Sequence, residues 1–224
     1  MSRAFGVAAA VALLIVARAR PDWLVRLIRA FDQAAEIASP RGAALYARIA
    51  PRLLGAVYRM VVEDATARVH DGETVVDLGC GPADLLAALS ERLPQAHLVG
   101  VEPSEAMRHA GIARLAGVPA RDVVIRDGSA EALPLPNASV DLLVSTLSAH
   151  HWRDPAAAFR EIDRVLRSGG EARIYDVRFA TFGPDELQRI GRSAGLRTGL
   201  LTRTVAALRL GPFHPFAVIA YRPG

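Results

Sequence analysis

From residue 74 onward, short apolar segments alternate with segments of helical periodicity, and this order restricts the possible folds more than any other feature of the sequence. A run of about four to eight residues rich in valine, leucine and isoleucine is typical of a buried strand. Strands that alternate with helices over short connections form a largely parallel sheet with helices on both faces. The strand-like segments are 74–78, 96–101, 122–125, 140–146, 171–177, 200–208 and 216–222, and the helical ones are 82–92, 104–115, 154–167 and 184–194. We therefore predict an α/β fold with an open, mostly parallel, seven-stranded sheet.

The sequence before this pattern has a different character. Residues 1–38 combine an apolar run of 14 residues, Ala4–Ala17, with a basic amphipathic segment that places Trp23, Leu27 and Phe31 on one helical face. The apolar run is shorter than the roughly 20 residues that cross a bilayer. We expect either a segment that lies on the membrane surface or a helical cap that packs on the protein itself. A secretory signal peptide is the least favoured alternative.

The remaining residues, 39–224, are sufficient for one α/β domain, so we predict that domain with an N-terminal helical extension. The domain begins with helical periodicity over 41–69, which Pro51 interrupts. Because proline lacks a backbone N–H and its ring clashes with the preceding turn, we expect Pro51 either to start a new helix or to kink one.

The arginine-rich composition does not by itself indicate a nucleic-acid partner. The net charge is +4, and all 27 basic residues are arginine. Residues 1–70 carry 10 arginines and 5 acidic residues, whereas residues 71–224 carry 17 arginines and 18 acidic residues. The predicted α/β region is thus nearly neutral, and we expect no nucleic-acid binding. Because Cys80 is the only cysteine, we expect no internal disulfide bond and no cysteine-based metal site.

The segment Thr74–Asp84 runs from an apolar strand directly into a glycine-containing turn and then into a helix. Gly79 and Gly81 lack a Cβ, so the chain can turn sharply there and a ligand can approach the main chain. The start of the following helix offers N–H groups that have no intrahelical partner. Asp77 lies inside the strand, where its carboxylate can receive the ammonium group of an amino-acid-like ligand, directly or through water. The alternative is that Asp77 only caps the turn.

Glu102 follows the second predicted strand, 25 residues after Asp77. In Rossmann-type folds, an acidic residue roughly 20 residues beyond the glycine turn binds the ribose hydroxyls of a nucleotide. Glu102 suits this role, so the predicted fold is Rossmann-like with a nucleoside at its first two strands. The alternative is that Glu102 caps the helix that begins near Ser104.

Three longer segments resemble a known family. They are VVDLGCGPAD at 75–84, VGVEPSEAM at 99–107 and DGSAEALPLPNASVDLLVSTLSAHHWRDPAAAFREIDRVLRSGG at 127–170. These segments look like the class I S-adenosylmethionine-dependent methyltransferases, of the small-molecule type related to ubiquinone and menaquinone biosynthesis. The resemblance covers roughly residues 70–195. It implies S-adenosylmethionine as the cofactor and transfer of its methyl group to a small molecule.

The resemblance also implies which residues hold the cofactor. Asp77, Gly79 and Gly81 would face the methionine part of S-adenosylmethionine, Glu102 would hold the ribose, and the loop 128–131 would meet the adenine. The implied cofactor-binding residues are Asp77, Gly79, Cys80, Gly81, Glu102, Pro103, Gly128, Ser129 and Ala130.

Two positions depart from the family pattern. Ala83 replaces the third loop glycine, which is a common variation. Ser129 stands where the family usually has an acid, so the adenine amine would be met by the Ser129 hydroxyl, by the backbone or by the neighbouring Asp127.

The fourth predicted strand leads into Ser145–Trp152, at the edge where an open parallel sheet binds its ligand. Methyl transfer is an in-line displacement on a sulfonium methyl group, so the protein supplies alignment and, where the nucleophile must lose a proton, a base. His150 and His151 are the candidate catalytic residues for that base, because imidazole titrates near neutral pH. The alternative is that both histidines only shape the pocket and bond to the backbone.

The acceptor is predicted to be a small molecule, and the apolar, basic residues 1–38 suggest a lipid or quinone-like one that arrives from the membrane. On this hypothesis the protein is cytoplasmic and attaches to the inner face of the cytoplasmic membrane. Few residues separate the fifth strand from the helix at 184–194, so we expect the N-terminal helices to supply the lid. Tyr46 and Tyr58 could line the acceptor cavity there or simply pack.

Two other classes of protein compete with this interpretation. A nicotinamide-dependent oxidoreductase shares the glycine turn and the ribose acid, but it needs a small residue where this chain has Asp84 and no acid where it has Asp77. A catalytically silent relative that binds the cofactor or a protein partner would show the same pattern. The sequence has no phosphate-binding Gly-Lys-Ser/Thr loop and no acidic or histidine set with metal-ligand spacing, so we expect no metal dependence.

Overall fold

The structure, a computed structural model, describes residues 39–118, 122–178, 181–196, 201–205 and 216–223. Its helices are α1 (Pro40–Thr66), α2 (Asp84–Arg92), α3 (Glu105–Leu115), a short 3-10 helix (Ala149–His151), α4 (Pro155–Val165) and α5 (Pro184–Ala194). Its strands are β1 (Thr74–Leu78), β2 (His97–Val101), β3 (Val123–Arg126), β4 (Val140–Thr146), β5 (Leu166–Val177), β6 (Thr202–Val205) and β7 (Phe216–Tyr221). The predicted N-terminal segment, residues 1–38, lies outside the described residues.

The seven strands form one sheet in the order β3-β2-β1-β4-β5-β7-β6. Strands β1 to β5 pair in parallel, whereas β7 pairs antiparallel with both β5 and β6. The predicted Rossmann-like, mostly parallel, seven-stranded sheet is therefore confirmed. The strand order reverses between β1 and β4, and sheets of this kind bind ligands beyond the carboxyl ends of the strands at that point.

Each face of the sheet has its own apolar core, because successive side chains of a strand point to opposite faces. Val75 of β1 belongs to the core that contains Val57 of α1 and Leu86 of α2. Its neighbour Val76 belongs to the other core, which contains Phe159 of α4. Helices α1, α2 and α3 contact one another on the first face, and α4 contacts α5 on the second. Helices on both faces leave the loops after β1, β2 and β4 together at one open edge.

Helix α1 is continuous from Pro40 to Thr66 and includes Pro51. Of the two alternatives expected for Pro51, the start of a new helix is therefore not observed. The Ser39 hydroxyl caps the N-terminus by accepting a hydrogen bond from the Gly42 backbone N–H at 3.1 Å. Val61 on the inner face is fully buried. This packing compensates for the helical hydrogen bond that Pro51 cannot make, since helices in proteins are stabilised mainly by their buried face.

A network of charged groups connects the C-terminal part of α1 to the sheet. Asp64 accepts a hydrogen bond from the Tyr175 hydroxyl and pairs with Arg173, and both partners are on β5. Arg173 also pairs with Glu171 at 2.9 Å, and Arg68, two residues after the end of α1, lies 3.5 Å from the same carboxylate. Burial raises the pKa of the Tyr175 hydroxyl above its usual value. The network thus connects the C-terminal part of α1 to β5.

The boundary between α4 and β5 differs from the prediction. We expected a helix over 154–167 and a strand over 171–177, but α4 ends at Val165 and β5 begins at Leu166. Leu166 pairs with Val140 of β4, and the register then shifts before pairing resumes. A Cβ on Gly170 would lie 2.9 Å from the Val140 carbonyl oxygen, so the two strands approach closely at the shift. This early pairing depends on β4 and has no periodic signal in the sequence of β5 itself.

Candidate cofactor-binding and catalytic site

The turn after β1 has the conformation that its glycines permit. Gly79 has a φ of 75° and Gly81 a φ of 52°, both in the left-handed region. A Cβ on Gly79 would lie 2.5 Å from the Ser148 side chain, whereas a Cβ on Gly81 would meet nothing within 4 Å. Gly79 is thus required by the protein's own packing. The space beside Gly81 is open, as close approach of a ligand to the main chain requires.

Ala83 also adopts a left-handed conformation, with a φ of 64°. This is the position at which the resembled family has its third glycine, and a residue with a Cβ is strained there. Ala83 is fully buried and precedes the first residue of α2, Asp84. The alanine is therefore accommodated at a conformational cost, and the turn keeps the shape that a glycine would give it.

Asp77 is buried and its Oδ2 atom has no hydrogen-bond partner in the described structure. Burial, reinforced by the nearby charge of Glu102, raises the pKa of Asp77 from 3.8 to about 8. An unpaired buried carboxylate is costly unless a ligand supplies the missing partner. A cationic ligand would fill this requirement, and the amino group of S-adenosylmethionine is such a group. The residues present therefore fit the methionine end of the cofactor.

Glu102 follows β2 directly and lies next to the glycine turn. Its Oε2 accepts a hydrogen bond from the Gly81 backbone N–H at 3.0 Å, and its Oε1 accepts one from the Ser104 backbone N–H at 2.9 Å. The helix cap proper is the Ser104 hydroxyl, which accepts from the Met107 N–H at 3.4 Å. Burial raises the pKa of Glu102, although these backbone hydrogen bonds and Arg108 lower it. The carboxylate thus joins the turn to the start of α3, at the position expected for a ribose ligand.

The residues around Glu102 have structural contacts of their own. Pro103 is exposed, and its carbonyl oxygen and that of Glu102 accept hydrogen bonds from Arg108 at 2.8 and 2.9 Å. Cys80 is buried, and a Cβ on Gly100 would lie 2.7 Å from its sulfur atom. Burial raises the pKa of the Cys80 thiol well above its usual value. The neutral thiol therefore packs against β2 beneath the turn.

The loop predicted to meet adenine follows β3 closely. A Cβ on Gly128 would lie 2.6 Å from the Pro134 ring, and Ser129 forms an isolated bridge with Ala132. Ala130 is buried. Asp127, the alternative partner for the adenine amine, is paired with Arg108 at 2.8 Å. Contact of Gly128, Ser129 and Ala130 with adenine stays a prediction.

Ser148 connects the end of β4 to the glycine turn and was not singled out from the sequence. Its hydroxyl donates to the Leu78 carbonyl oxygen at 3.1 Å and lies 2.8 Å from the Ser145 hydroxyl. The preceding residue, Leu147, has a φ of 55°, which is strained for a leucine. The backbone after β4 is therefore held against the turn after β1, and the histidines that follow lie at the same edge.

His150 and His151 have different environments. The His150 side chain is 7% exposed, and its Nδ1 lies 3.0 Å from both carboxylate oxygens of Asp176. Asp176 lies at the carboxyl end of β5, is fully buried and was not identified from the sequence. His151 is exposed, and its ring centroid lies 4.1 Å from that of His150. The observed partner of His150 is thus a carboxylate rather than only the backbone.

A cavity of about 340 Å³ lies between α1 and α2. Its lining includes Gly55, Tyr58 and Val62 from α1 and Asp84 and Ala88 from α2. Burial is the main reason why the pKa of the Tyr58 hydroxyl is raised, and the charges of Asp84 and Asp77 add to it. Tyr58, one of the two tyrosines named from the sequence, thus lines this cavity.

Comparison with known proteins finds methyltransferases. Residues 76–174 match the family model of a methyltransferase domain. An uncharacterised methyltransferase of Bacillus subtilis is 30% identical over 122 residues, which cover 54% of this chain and 66% of that protein. A demethylmenaquinone methyltransferase of Roseiflexus castenholzii is 36% identical over 102 residues, which cover 46% of this chain and 42% of that protein. A ubiquinone/menaquinone biosynthesis C-methyltransferase of Stenotrophomonas maltophilia is 35% identical over 122 residues, which cover 50% and 45%.

Solved structures show the same fold. A proposed S-adenosylmethionine-dependent methyltransferase of Methanococcus maripaludis superposes with a TM-score of 0.68 at 21% identity, covering 83% of this chain and 94% of that one. Geranyl diphosphate C-methyltransferase of Streptomyces coelicolor superposes with a TM-score of 0.61 at 17% identity, covering 77% and 80%.

Residues 76–174, which include Asp77 and Glu102, match a methyltransferase domain, and the relatives that share this region are named as methyltransferases. The chain spans about half the length of the curated relatives that it matches.

Proposed function

We propose that this chain transfers the methyl group of S-adenosylmethionine to a small, lipophilic acceptor. The observation that carries the proposal is the pair of buried carboxylates at the ends of neighbouring strands. Asp77 pairs with Gly100 in the register of β1 and β2, and Glu102 follows β2 directly and accepts a hydrogen bond from Gly81. Asp77, whose Oδ2 has no partner in the described structure, suits the ammonium group of an amino acid. Glu102, which the glycine turn holds in place, suits the ribose of a nucleoside joined to it.

Cofactor binding is tested by calorimetric titration of the full chain with S-adenosylmethionine, S-adenosylhomocysteine and NAD. We expect the first two to bind and NAD not to bind. D77A and E102A are each expected to weaken binding of both sulfur nucleosides at least tenfold, since a hydrogen bond to a charged group is worth about 1.5–3 kcal/mol. Equal affinity of these variants and the parent protein would refute the assignment.

Transfer itself is tested with a labelled methyl group, because a catalytically silent relative would also bind the cofactor. Two of the relatives are named for methylation of quinone precursors, and one structural neighbour is named for methylation of geranyl diphosphate. A demethylmenaquinol and geranyl diphosphate are therefore the first acceptors to try. Tight binding of S-adenosylmethionine together with no transfer to these or to extracted bacterial lipids would favour the silent alternative.

We propose further that the protein works at the inner face of the cytoplasmic membrane. Support comes from residues 1–38 and from the exposed side of α1. From Pro40 to Val62 this helix contains four arginines and no acidic residue. Exposed Arg41, Arg48 and Arg59 are 7 and 11 residues apart, so they share one side of the helix. Such a side suits anionic lipid headgroups.

In the described ranges, no helix has the length and apolar character needed to cross a membrane. The proposed contact is one of a surface with headgroups, to which Leu45, exposed by 57% beside the arginines, would add apolar area.

Membrane contact is tested by sedimentation with vesicles of phosphatidylcholine, with and without phosphatidylglycerol. Wild-type protein should sediment only with anionic vesicles. The variant R41E/R48E/R59E and a variant that lacks residues 1–38 should both stay in the supernatant. A matched control, R160E/R189E/R192E, changes the same number of exposed arginines on α4 and α5, which cover the other face of the sheet. Equal recovery of all four proteins in the supernatant would remove the support for membrane delivery.

A further inference from the structure

We propose that Asp176 is a positioning residue that orients His150 as the base for methyl transfer. The inference rests on the proposed function and selects one of the two histidines. Nδ1 of the His150 ring lies 3.0 Å from each carboxylate oxygen of Asp176. The same carboxylate accepts a hydrogen bond from the His150 backbone N–H at 3.1 Å. The Val177 backbone N–H donates to the same carboxylate at 2.7 Å.

These bonds determine the tautomer of the imidazole. The Asp176 carboxylate accepts hydrogen bonds from two backbone N–H groups, and a carboxylate can only accept hydrogen bonds. Nδ1 of His150 must therefore carry a proton and donate it. In the neutral ring the basic atom is then Nε2, because a neutral imidazole has only one N–H.

The pair lies at the edge of the sheet where the cofactor is expected. Strands β4 and β5 are parallel neighbours, with Thr146 opposite Tyr175, so the residues that follow both strands meet at one end. The Leu147 backbone N–H donates to the Tyr175 carbonyl oxygen at 2.8 Å and links the two ends directly. The Ser148 side chain in turn packs against the turn after β1, where it would lie 2.5 Å from a Cβ on Gly79. His150 is thus two residues from the side chain that packs against the glycine turn.

The step can be written completely. An acceptor atom that bears a hydrogen attacks the methyl carbon, and the C–S bond breaks with its electrons going to sulfur, which becomes the neutral thioether of S-adenosylhomocysteine. The acceptor's proton moves to Nε2 of His150. The resulting imidazolium is stabilised by the Asp176 carboxylate and later loses its proton to water. Such base catalysis contributes a factor of about 100 to 10,000 in rate.

His151 does not share this arrangement. It is exposed, and its ring lies against that of His150 with centroids 4.1 Å apart. His150, in contrast, is 7% exposed and reaches the Asp176 carboxylate through both its ring and its backbone N–H. The orienting carboxylate therefore distinguishes the two candidates.

The test combines a measurement without acceptor and one with it. In protein labelled with ¹⁵N in the histidine rings and bound to S-adenosylhomocysteine, we expect His150 as the Nδ1–H tautomer. D176N should abolish this preference, leave the affinity for S-adenosylhomocysteine within about twofold, and lower kcat with a demethylmenaquinol at least about 100-fold with little change in KM. It should also move the acidic limb of the pH–rate profile to lower pH, because the carboxylate no longer stabilises the protonated ring. D176E should recover part of kcat.

Matched controls separate this role from a structural one. D163N removes a half-buried carboxylate that accepts a hydrogen bond from Tyr221, far from the glycine turn, and should leave kcat unchanged. If D176N fails to fold, H150Q serves instead, because it keeps the backbone bonds to Asp176.

Three results would overturn the proposal: an Nε2–H tautomer of His150 in the wild-type protein, a kcat of D176N within threefold of wild type, or equal losses for D176N and D163N. Wild-type protein that transfers no methyl group would refute the proposed acceptor class instead. In that case the tautomer of His150, which is measured without acceptor, would still test whether Asp176 orients His150.

Discussion

At the scale of single residues, Asp77 shows how a binding site reduces the stability of the protein that contains it. The carboxyl is buried, one of its oxygens has no partner, and its pKa is raised to about 8, mainly by burial. In the unfolded chain the same group ionises near 3.8. The folded protein therefore binds this proton more tightly than the unfolded chain does, and the free energy of unfolding decreases as the pH rises from about 4 to about 8.

D77N should be more stable than the parent protein at high pH. The amide cannot ionise, so it avoids the cost of a buried charge, and we expect a gain of about 2–4 kcal/mol at pH 8.5 that disappears near pH 4. Urea unfolding at the two pH values measures the difference. A variant that is less stable at both would mean that the carboxylate already has a partner in the folded protein.

The affinity for S-adenosylmethionine should depend on pH through the same group. If the cofactor's amino group binds only the ionised form of Asp77, each unit of pH below about 8 costs close to tenfold in affinity. We therefore expect the dissociation constant to fall by about 50-fold from pH 6 to pH 8 and to level off above pH 8, at about 100-fold below its value at pH 6. Calorimetry in buffers of different ionisation enthalpy should show release of about one proton at pH 7. A dissociation constant that is the same at pH 6 and pH 8 would contradict this.

At the scale of elements, the site depends on loops from different strands that pack against each other. The turn after β1 and the chain after β4 meet where Gly79 faces Ser148, with no room for a Cβ. The contact is possible because β1 and β4 are adjacent parallel strands, with Asp77 opposite Val144. The sequence placed each loop at the carboxyl edge but carried no sign of this contact, which arises only after the strand order is fixed.

G79A should destabilise the protein for two separable reasons. The new Cβ would collide with Ser148 at 2.5 Å, and the φ of 75° is unfavourable for alanine. Together these effects should cost about 2–4 kcal/mol. In the double variant G79A/S148G the collision is gone and the backbone strain remains, so part of the loss should be recovered.

G81A is the matched control, because its φ of 52° brings the strain without a collision. It should cost only about 1–2 kcal/mol in urea unfolding. Equal losses for G79A and G79A/S148G would show that the loops do not pack as described.

At the scale of the whole molecule, α1 is joined to the rest of the fold by both an apolar face and a charged network. The network joins Asp64 of the helix and Arg68 just after it to three residues of β5, Glu171, Arg173 and Tyr175. Because α1 also lines the cavity beside Asp84, its attachment determines how closely that side of the site is covered.

D64A should lower the free energy of unfolding by about 2–3 kcal/mol. The substitution leaves the Tyr175 hydroxyl and part of the Arg173 charge buried without their partner, and breaking a buried pair in this way is costly. Part of the loss should return in D64A/Y175F, in which the hydroxyl is also absent. E63A, at an exposed position of the same helix, is the control and should change stability by less than about 0.5 kcal/mol. A loss for E63A as large as that for D64A would contradict the role of the network.

Much of this fold could be predicted from the sequence, because its strands and helices have clear periodicity. The bounds of 74–78, 140–146 and 184–194 coincide with β1, β4 and α5. The start of β5 at Leu166 could not be predicted, since it depends on pairing with Val140 across the sheet.

The candidate site also has a part that could be predicted from the sequence and a part that could not. Asp77 and Glu102 were predicted because each has a fixed distance along the chain from the glycine turn. The partner of His150 was not, because Asp176 lies on a neighbouring strand and 26 residues away, a separation that follows no motif. Lateral contacts of this kind become visible only when the order of the strands is known.

One consequence follows from the two backbone N–H groups of the protein that hold Glu102 in place. The rotamer of this side chain is selected when the protein folds, so a nucleoside arriving from solution need not immobilise it and loses no affinity to that entropy. Each carboxylate oxygen keeps one lone pair for a sugar hydroxyl. Exchange of spent for fresh cofactor can therefore proceed, at this end of the site, without any rearrangement of the protein.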